Sequence, residues 1–337
     1  MTVPEFNDTS EDLERFTALG VGVGAVGGYF CAALALAANF SVSVCMRSNG
    51  SNVRSNGIKI VQTFSDREWI FRPDQIVSKA QEYVGNPDYV LIGLKWSANF
   101  DWKGLLAPVV KPNTVLVLIC NGIDVEDDLH RAFPDNELIS CVAYICAERA
   151  ENSDIPTVVA HYFPGRLVMG QFSVPVHRRT SARINSLCTA LKHSGVSDAE
   201  ISTDLSSMRF QKLMGNLIIN PFSVLAGQRT SAQLFESPHL KPLIAKVVEE
   251  LYTVASAHGV KFESSKAMFD RLAAHTAKFP DFQSSMLQDF KARRPLEIDG
   301  IVGNLLTLAE RYAIPIPHTF TICCLLREVD HINTMTT

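Results

Sequence analysis

The segment Ala18-Leu-Gly-Val-Gly-Val-Gly-Ala-Val-Gly-Gly28 decides the fold, because Gly22, Gly24 and Gly27 within it match the pattern G-x-G-x-x-G. In a dinucleotide-binding turn the three glycines have separate functions. Gly22 permits the tight turn, Gly24 lets the backbone approach a pyrophosphate, and Gly27 lets helix and strand pack closely. The segment therefore predicts a nucleotide-binding turn.

The residues around this turn favour the same structure. The apolar run Phe16–Val21 precedes it, and the small residues of Tyr29–Ala38 follow it. A strand, a glycine turn and a helix in this order separate a dinucleotide site from a chance glycine cluster. The pyrophosphate would lie at the helix N-terminus, formed by the glycines with Ala25 and Val26, where free N–H groups favour negative charge.

The end of the next strand predicts which dinucleotide binds. Ser41–Met46 alternates as a strand does and leads directly into Arg47. An NAD-selective site usually carries Asp or Glu at about this position, roughly 20 residues past the glycines. A basic residue favours a 2′-phosphate instead, so we expect NADP(H). The alternative is that Arg47 is only a solvated strand end.

The stretch from Phe16 to Met46 has no charged residue, which is long enough for a transmembrane helix. Its glycines, Asn39 and two serines interrupt the uniform hydrophobicity that such a helix needs. A buried strand–helix–strand unit also lacks charges. We therefore predict no membrane segment.

Length and composition exclude several other classes. A chain of 337 residues is long enough for two domains, and its net charge of −4 argues against nucleic-acid binding. The eight cysteines contain no C-x-x-C pair, as expected of buried thiols in a reducing compartment, and no His/Cys ligand set predicts a metal.

Residues 1–14 are acidic and lack a basic targeting pattern, so we expect a flexible leader and a cytoplasmic protein.

Two further apolar runs end in polar residues. Pro87–Lys95 ends in Lys95 itself, and Thr114–Cys120 is followed by Asn121. Continuous apolar runs suit central parallel strands, and ligands bind at the carboxyl ends of such strands. Lys95 and Asn121 are therefore candidate site residues, or else an ordinary exposed lysine and a turn Asn-Gly.

The second half of the chain has helical periodicity, starting with a helix that Asp204 can cap. Alternating strands and helices followed by helices alone predict an α/β Rossmann-type N-terminal domain plus an all-α C-terminal domain. We place the dinucleotide-binding domain at 15–203 and the helical substrate and dimerisation domain at 204–337.

Polar residues interrupt this first helix at regular spacing. Lys212, Asn216 and Asn220 stand at i, i+4 and i+8 and share one face. On a buried helix such polar groups need partners. They form either a satisfied structural network or a substrate face, with the lysine as proton donor.

A second polar cluster lies within 282–304. It offers hydroxyls, including Ser285, and then the carboxylate of Glu297 at a predicted helix start. An acid at that position is favoured by the helix dipole, so Glu297 has a purely structural explanation as well.

These blocks resemble the ketopantoate reductase (2-dehydropantoate 2-reductase) family over about 15–329. The most specific are Lys212-Leu-x-x-Asn216-x-x-x-Asn220-Pro and Ser284-Ser-Met-Leu-Gln-Asp289…Glu297-Ile-Asp299. The resemblance implies a Rossmann domain joined to a helical domain, with the site in the cleft between them. It also implies a homodimer.

The resemblance further implies NADPH-dependent reduction of 2-dehydropantoate to pantoate, a step of pantothenate biosynthesis. Lys212 and Glu297 match the catalytic residues. Asn216, Asn220 and Ser285 match substrate-binding groups, while Lys95 and Asn121 match residues that line the cofactor–substrate cleft.

Two departures from the family pattern put the substrate in doubt. Phe210 stands near the place of a common tryptophan, and Thr230 stands where some members carry an asparagine. The alternatives are a reductase of another 2-oxo acid, a ketone or an imine, and a non-catalytic NADP-binding regulatory protein.

Overall fold

The computed structural model describes residues 14–98, 100–150, 153–172 and 178–335. Of the predicted leader, only Glu14 lies within these ranges. Within these ranges, strands and helices are mixed up to Ile201, and only helices follow from Leu205 onward. The predicted fold class is confirmed.

Within the described residues, ten strands form one sheet in the order β4-β3-β9-β8-β7-β6-β1-β2-β5, and β10 pairs with β9. The strands are β1 Phe16–Val21, β2 Phe40–Cys45, β3 Ile58–Gln62, β4 Arg67–Phe71, β5 Ile76–Val77, β6 Tyr89–Ile92, β7 Val115–Leu118, β8 Leu138–Arg149, β9 Thr157–Phe172 and β10 Ser197–Ile201.

The central strands β1, β6 and β7 are parallel and buried on both faces, which explains their continuous apolar sequences. Their last residues are in register, with Val21 opposite Ile92 and Ile92 opposite Leu118. The glycine turn, Lys95 and Asn121 follow these strand ends, so the fold brings three separate sequence motifs to one edge of the sheet.

The other side of the sheet mixes parallel and antiparallel pairs. β8 and β9 form a long antiparallel hairpin, and β3 pairs antiparallel with β4 but parallel with β9. Tyr162 in β9 has a positive φ of 68°, close to an irregularity in the pairing with β8 after Tyr144. This part of the hairpin is therefore bent.

Twelve helices are described: α1 Ala25–Leu34, α2 Gly50–Asn56, α3 Trp102–Leu106, α4 Asp127–Ala132, α5 Arg178–His193, α6 Leu205–Leu225, α7 Ser231–Glu236, α8 Leu240–Ala257, α9 Ser265–Thr276, α10 Ser285–Lys291, α11 Asn304–Arg311 and α12 Pro317–Met335. The Asp204 side chain accepts a hydrogen bond of 3.1 Å from the Ser207 N–H and so caps α6. One apolar core lies on each face of the sheet, and a third lies among the helices around α6.

The predicted helix from Glu297 to Arg311 differs in detail. Asp299–Gly303 forms a π-helical turn, and regular α-helix begins only at Asn304. Glycines at 300 and 303 weaken the regular helix in this segment. Among the described residues, no helix has the length and apolar character needed to cross a membrane.

Candidate active site

The glycine turn has the geometry that a nucleotide needs. Gly22 has a φ of +82°, and a Cβ on it would lie 2.7 Å from the backbone nitrogen of Leu94. A Cβ on Gly27 would lie 2.4 Å from the Gly22 carbonyl oxygen, whereas one on Gly24 would meet nothing within 4 Å. The backbone at Gly24 is therefore open to a ligand, while the other two glycines are closely packed.

A cavity of about 1,410 Å³ runs from this turn into the helical half. At one end it is lined by Gly24, Ala25 and Val26. The other candidate residues that line it are Lys95, Asn121, Lys212, Asn216, Asn220, Ser285 and Glu297. The fold thus brings residues from five separate parts of the sequence to one cavity.

Arg47 lies outside the cavity lining, exposed on the loop after β2. Two nearby residues, Asn49 and Asn52, do line the cavity. Asn49 adopts a left-handed conformation with a φ of 64° before α2. The Arg54 guanidinium donates a hydrogen bond of 2.6 Å to the Ile76 carbonyl, so it is already used within the protein.

The polar face of α6 borders the cavity. The Lys212 ammonium donates a hydrogen bond to the Ala143 carbonyl and lies 5.9 Å from the centre of the Tyr144 ring. Asn220 is buried, yet its Nδ2 has no hydrogen-bond partner within the described protein. The same is true of the hydroxyl of Ser231, the first residue of α7, which also lines the cavity. Buried polar groups without partners are rare, so this wall of the cavity is suited to a polar ligand.

Burial changes the protonation of Lys212. It lowers the pKa of the ammonium from 10.5 to about 8, partly opposed by the charge of Glu297 and reinforced by that of Arg209. A desolvated ammonium loses the solvation that favours its charged form. Lys212 can therefore release a proton near neutral pH.

Glu297 faces the same region and is 8% exposed. Burial raises the pKa of its carboxyl group, while Asn121, Lys95 and Lys212 act in the opposite direction. The Asn121 Nδ2 donates a hydrogen bond of 2.9 Å to Glu297 Oε2. Asn121 therefore connects the end of β7 to the carboxylate.

Lys95 and Ser285 line the cavity in different settings. The Lys95 ammonium is 2.6 Å from an Asp289 carboxylate oxygen and donates a hydrogen bond of 2.9 Å to the Pro295 carbonyl. It thus contacts the helical half directly. Ser285 is exposed at the start of α10, whereas its neighbour Ser284 is buried and caps that helix.

Comparison with known proteins identifies the family. The model of ketopantoate reductase PanE/ApbA matches residues 19–173, and the model of its C-terminal part matches residues 204–330. The chain belongs to the ketopantoate reductase family.

Individual members of the family align along almost the whole chain. The 2-dehydropantoate 2-reductase of Nostoc sp. is 25% identical over 319 residues, which cover 93% of this chain and 94% of that protein. The crystal structure of 2-dehydropantoate 2-reductase from Methylococcus capsulatus is 31% identical and covers 94% of this chain and 98% of that one, with a TM-score of 0.81.

The ternary structure of D-mandelate dehydrogenase with NADH and anilino(oxo)acetate shares the fold, with a TM-score of 0.77 at 18% identity. It covers 95% of this chain and 99% of that one. The fold of the ketopantoate reductases therefore extends to a dehydrogenase with a different substrate.

Three features around this cavity were not predicted from the sequence. They are Ser231, the buried pair of Arg209 and Glu126, and an aromatic contact in which the Tyr162 and Phe279 rings lie 5.2 Å apart. A buried ion pair of Arg209 could have been predicted, because a charged residue near the start of a largely apolar helix needs a buried partner. The contact of Tyr162 had no local signal, since it depends on how the two halves pack.

Proposed function

We propose that this protein reduces a 2-oxo acid with NADPH, and that the reaction is the conversion of ketopantoate to pantoate. The observation that carries the proposal is the half-buried Lys212 ammonium at the cavity wall, with Glu297 beside it and the open glycine turn at the other end. This arrangement suits hydride transfer to a carbonyl with proton donation to its oxygen.

The glycine turn fits the pyrophosphate of the dinucleotide. The backbone at Gly24 is the cradle that a side chain would fill, and it lies at the N-terminus of α1. When bound, NADPH supplies the hydride that reduces C2 of the substrate. Asn49 and Asn52 border the cavity near Arg47, where the 2′-phosphate would be held.

Lys212 acts on the carbonyl oxygen. Its ammonium stabilises the negative charge that develops there and donates the proton that completes the hydroxyl group. The Ala143 carbonyl orients the ammonium, and Glu297 favours its charged form. A positioned general acid contributes roughly 10²–10⁴-fold to the rate.

Two polar groups without hydrogen-bond partners in the cavity lining favour ketopantoate as the substrate. Asn220 Nδ2 and the Ser231 hydroxyl can bind polar atoms away from the reacting carbon, and ketopantoate carries a hydroxyl group there. Asn216 and Ser285 border the same cavity and are proposed to bind the carboxylate or hydroxyl.

A second candidate substrate is an aromatic 2-oxo acid. The rings of Tyr162, Phe279 and Phe282 line the cavity and contact one another, with centres 5.2 and 6.4 Å from Tyr162. Aromatic rings favour edge-to-face contacts at such separations, so this wall can also receive a ring. The D-mandelate dehydrogenase structure with anilino(oxo)acetate gives a precedent on the same fold.

The test is to follow NADPH absorbance with ketopantoate, 2-oxoisovalerate and phenylglyoxylate at equal concentrations. Ketopantoate should give the highest kcat/KM, because it alone offers a hydroxyl group to Asn220 and Ser231. A higher value for phenylglyoxylate would establish the second candidate. No oxidation with any 2-oxo acid, despite NADPH binding, would overturn the proposal.

The preference for NADPH is proposed to come from Arg47. We expect Arg47→Glu to raise the Kd of NADPH by about 10–100-fold, the loss of one charge-assisted contact, and to change that of NADH little. Fluorescence titration of both cofactors measures the two effects, with Arg54→Glu as the neighbouring control. Equal weakening of NADH would contradict a 2′-phosphate site.

The protein is also proposed to be a cytoplasmic homodimer. Leu325, Ile332 and Met335 are 53%, 57% and 71% exposed and lie on one face of α12, where a second copy could cover them. A related structure describes a dimeric ketopantoate reductase from Staphylococcus aureus. Light scattering of the purified protein gives the mass directly.

A further inference from the structure

Arg209 lies three residues before Lys212 on α6 and is only 6% exposed. Its guanidinium reaches across to the Rossmann half. It lies 2.5 Å from a Glu126 carboxylate oxygen, and Nη2 donates a hydrogen bond of 2.6 Å to the Ser140 hydroxyl. Arg209 therefore joins the two halves of the protein in a buried contact.

The same guanidinium holds the turn that follows β7. Its Nη1 donates hydrogen bonds of 3.1 Å to the Cys120 carbonyl and 2.9 Å to the Gly122 carbonyl. These carbonyls flank Asn121, whose side chain binds Glu297. Arg209 thus fixes the backbone on both sides of the residue that orients the carboxylate.

The same turn also packs against the π-helical turn and the start of α11. Gly122 has a φ of +102°, and a Cβ there would lie 2.0 Å from the Gly300 carbonyl oxygen. The Asn304 Nδ2 donates a hydrogen bond of 2.6 Å to the Ile123 carbonyl. The turn is therefore held between α6 and the π-helical turn that follows Glu297.

We propose that Arg209 is a positioning residue that sets Asn121, and through it Glu297, relative to Lys212. The catalytic part of this inference rests on the proposed function. Arginine is required because its planar fork presents donors in fixed directions to two carbonyls, a hydroxyl group and a carboxylate at once. A lysine would keep the charge but lose this geometry.

The charged and titratable groups around Lys212 are consistent with this function. Glu297 faces it from the segment before the π-helical turn, Arg209 from α6 and Tyr144 from β8. Burial raises the pKa of the neighbouring thiols of Cys120 and Cys141, so both stay protonated. Glu297 is thus the nearby anion whose charge opposes the effect of burial on the Lys212 pKa.

The decisive experiment is a double-mutant cycle between Arg209→Lys and Asn121→Ala. Misplacement of a catalytic group can cost on the order of 10²-fold, so Arg209→Lys should lower kcat by about 10–100-fold in the wild-type background. In the Asn121→Ala background the same change should lower kcat by less than about threefold, because the connection is already broken.

A second readout does not require turnover. NMR titration of isotope-labelled lysine, with Lys212 assigned by its own substitution, should show its pKa falling in Arg209→Lys and in Asn121→Ala. The double variant should show no further fall. Each change takes Glu297 out of position, and the Glu297 charge is what raises the Lys212 pKa. If Arg209→Lys does not fold, Ser140→Ala loosens the same guanidinium and replaces it in the cycle.

Arg311→Lys is the matched control. Arg311 is more exposed and binds the Asp124 side chain at 3.3 Å, next to the same turn. It should change neither kcat nor the Lys212 titration. Fully multiplicative effects in the cycle, or no effect of Arg209→Lys, would overturn the positioning function. If no 2-oxo acid is reduced but the Lys212 titration shows the expected non-additivity, the proposed function fails and the positioning inference stands.

Discussion

Helix α6 carries two cations, the buried Arg209 and the half-buried Lys212, whose surroundings differ. Arg209 is in direct contact with Glu126 at 2.5 Å, and the two side chains are 6% and 5% exposed. Lys212 and Glu297 instead have separate partners, the Ala143 carbonyl for the lysine and the Asn121 amide for the glutamate. The pair of Arg209 and Glu126 is buried away from solvent, whereas Lys212 and Glu297 line the cavity.

This difference separates a structural charge from the one that we propose to be reactive. The Arg209 guanidinium is held by the Glu126 carboxylate, the Ser140 hydroxyl and two backbone carbonyls, which suits a structural charge. A lysine that is desolvated but only partly compensated has its pKa lowered, to about 8 for Lys212. Three residues of sequence thus separate a fixed cation from one that can transfer a proton.

The largest expected effect is on catalysis. Lys212→Ala should lower kcat by about 10²–10⁴-fold, because it removes the proposed proton donor. Binding of NADPH should be unchanged, since the glycine turn is intact. Stopped-flow absorbance and fluorescence titration measure the two quantities, with the exposed Lys246→Ala as control. A variant with near-normal turnover would show that both cations of α6 are structural.

The second effect is on stability. Glu126→Gln should reduce the free energy of unfolding by about 3–5 kcal/mol, because it leaves the buried charge of Arg209 uncompensated. The matched change Glu249→Gln breaks the exposed pair with Lys246 and should cost about 0–1 kcal/mol. Urea unfolding followed by circular dichroism measures both. Similar values for the two variants would mean that the buried pair contributes no more than a surface pair.

The smallest expected effect is on the pH dependence of catalysis. Because the proposed reaction needs the protonated ammonium, kcat/KM should be constant below the Lys212 pKa of about 8 and fall as pH rises above it. Since the Glu297 charge raises that pKa, Glu297→Gln should move the fall to lower pH. Profiles of kcat/KM for both forms give the answer. An unchanged profile in Glu297→Gln would show that the two groups are uncoupled.

Local patterns account for what the sequence predicts well. The glycine turn depends on backbone conformation and close packing within a short segment, so Gly22, Gly24 and Gly27 can be recognised from their spacing. The face formed by Lys212, Asn216 and Asn220 follows from helical periodicity alone. Lys95 and Asn121 can be selected as site candidates because they follow apolar strands, and ligands bind at the carboxyl ends of parallel strands.

The rest depends on contacts between distant segments. The ion pair of Lys95 with Asp289 and the partnership of Arg209 with Glu126 each join the two halves of the chain, and no spacing rule relates these residues. The π-helical turn that interrupts the predicted helix after Glu297 also involves a distant segment, because Gly300 within it contacts the turn at Gly122.

The contact of Gly122 with Gly300 has a mechanical consequence. Two main chains meet here with no side chain between them, and a Cβ at position 122 would collide with the Gly300 carbonyl oxygen. The contact therefore fixes the separation between the turn after β7 and the π-helical turn. A wedge as small as one methyl group at Gly122 would push apart the two segments that carry Asn121 and Glu297.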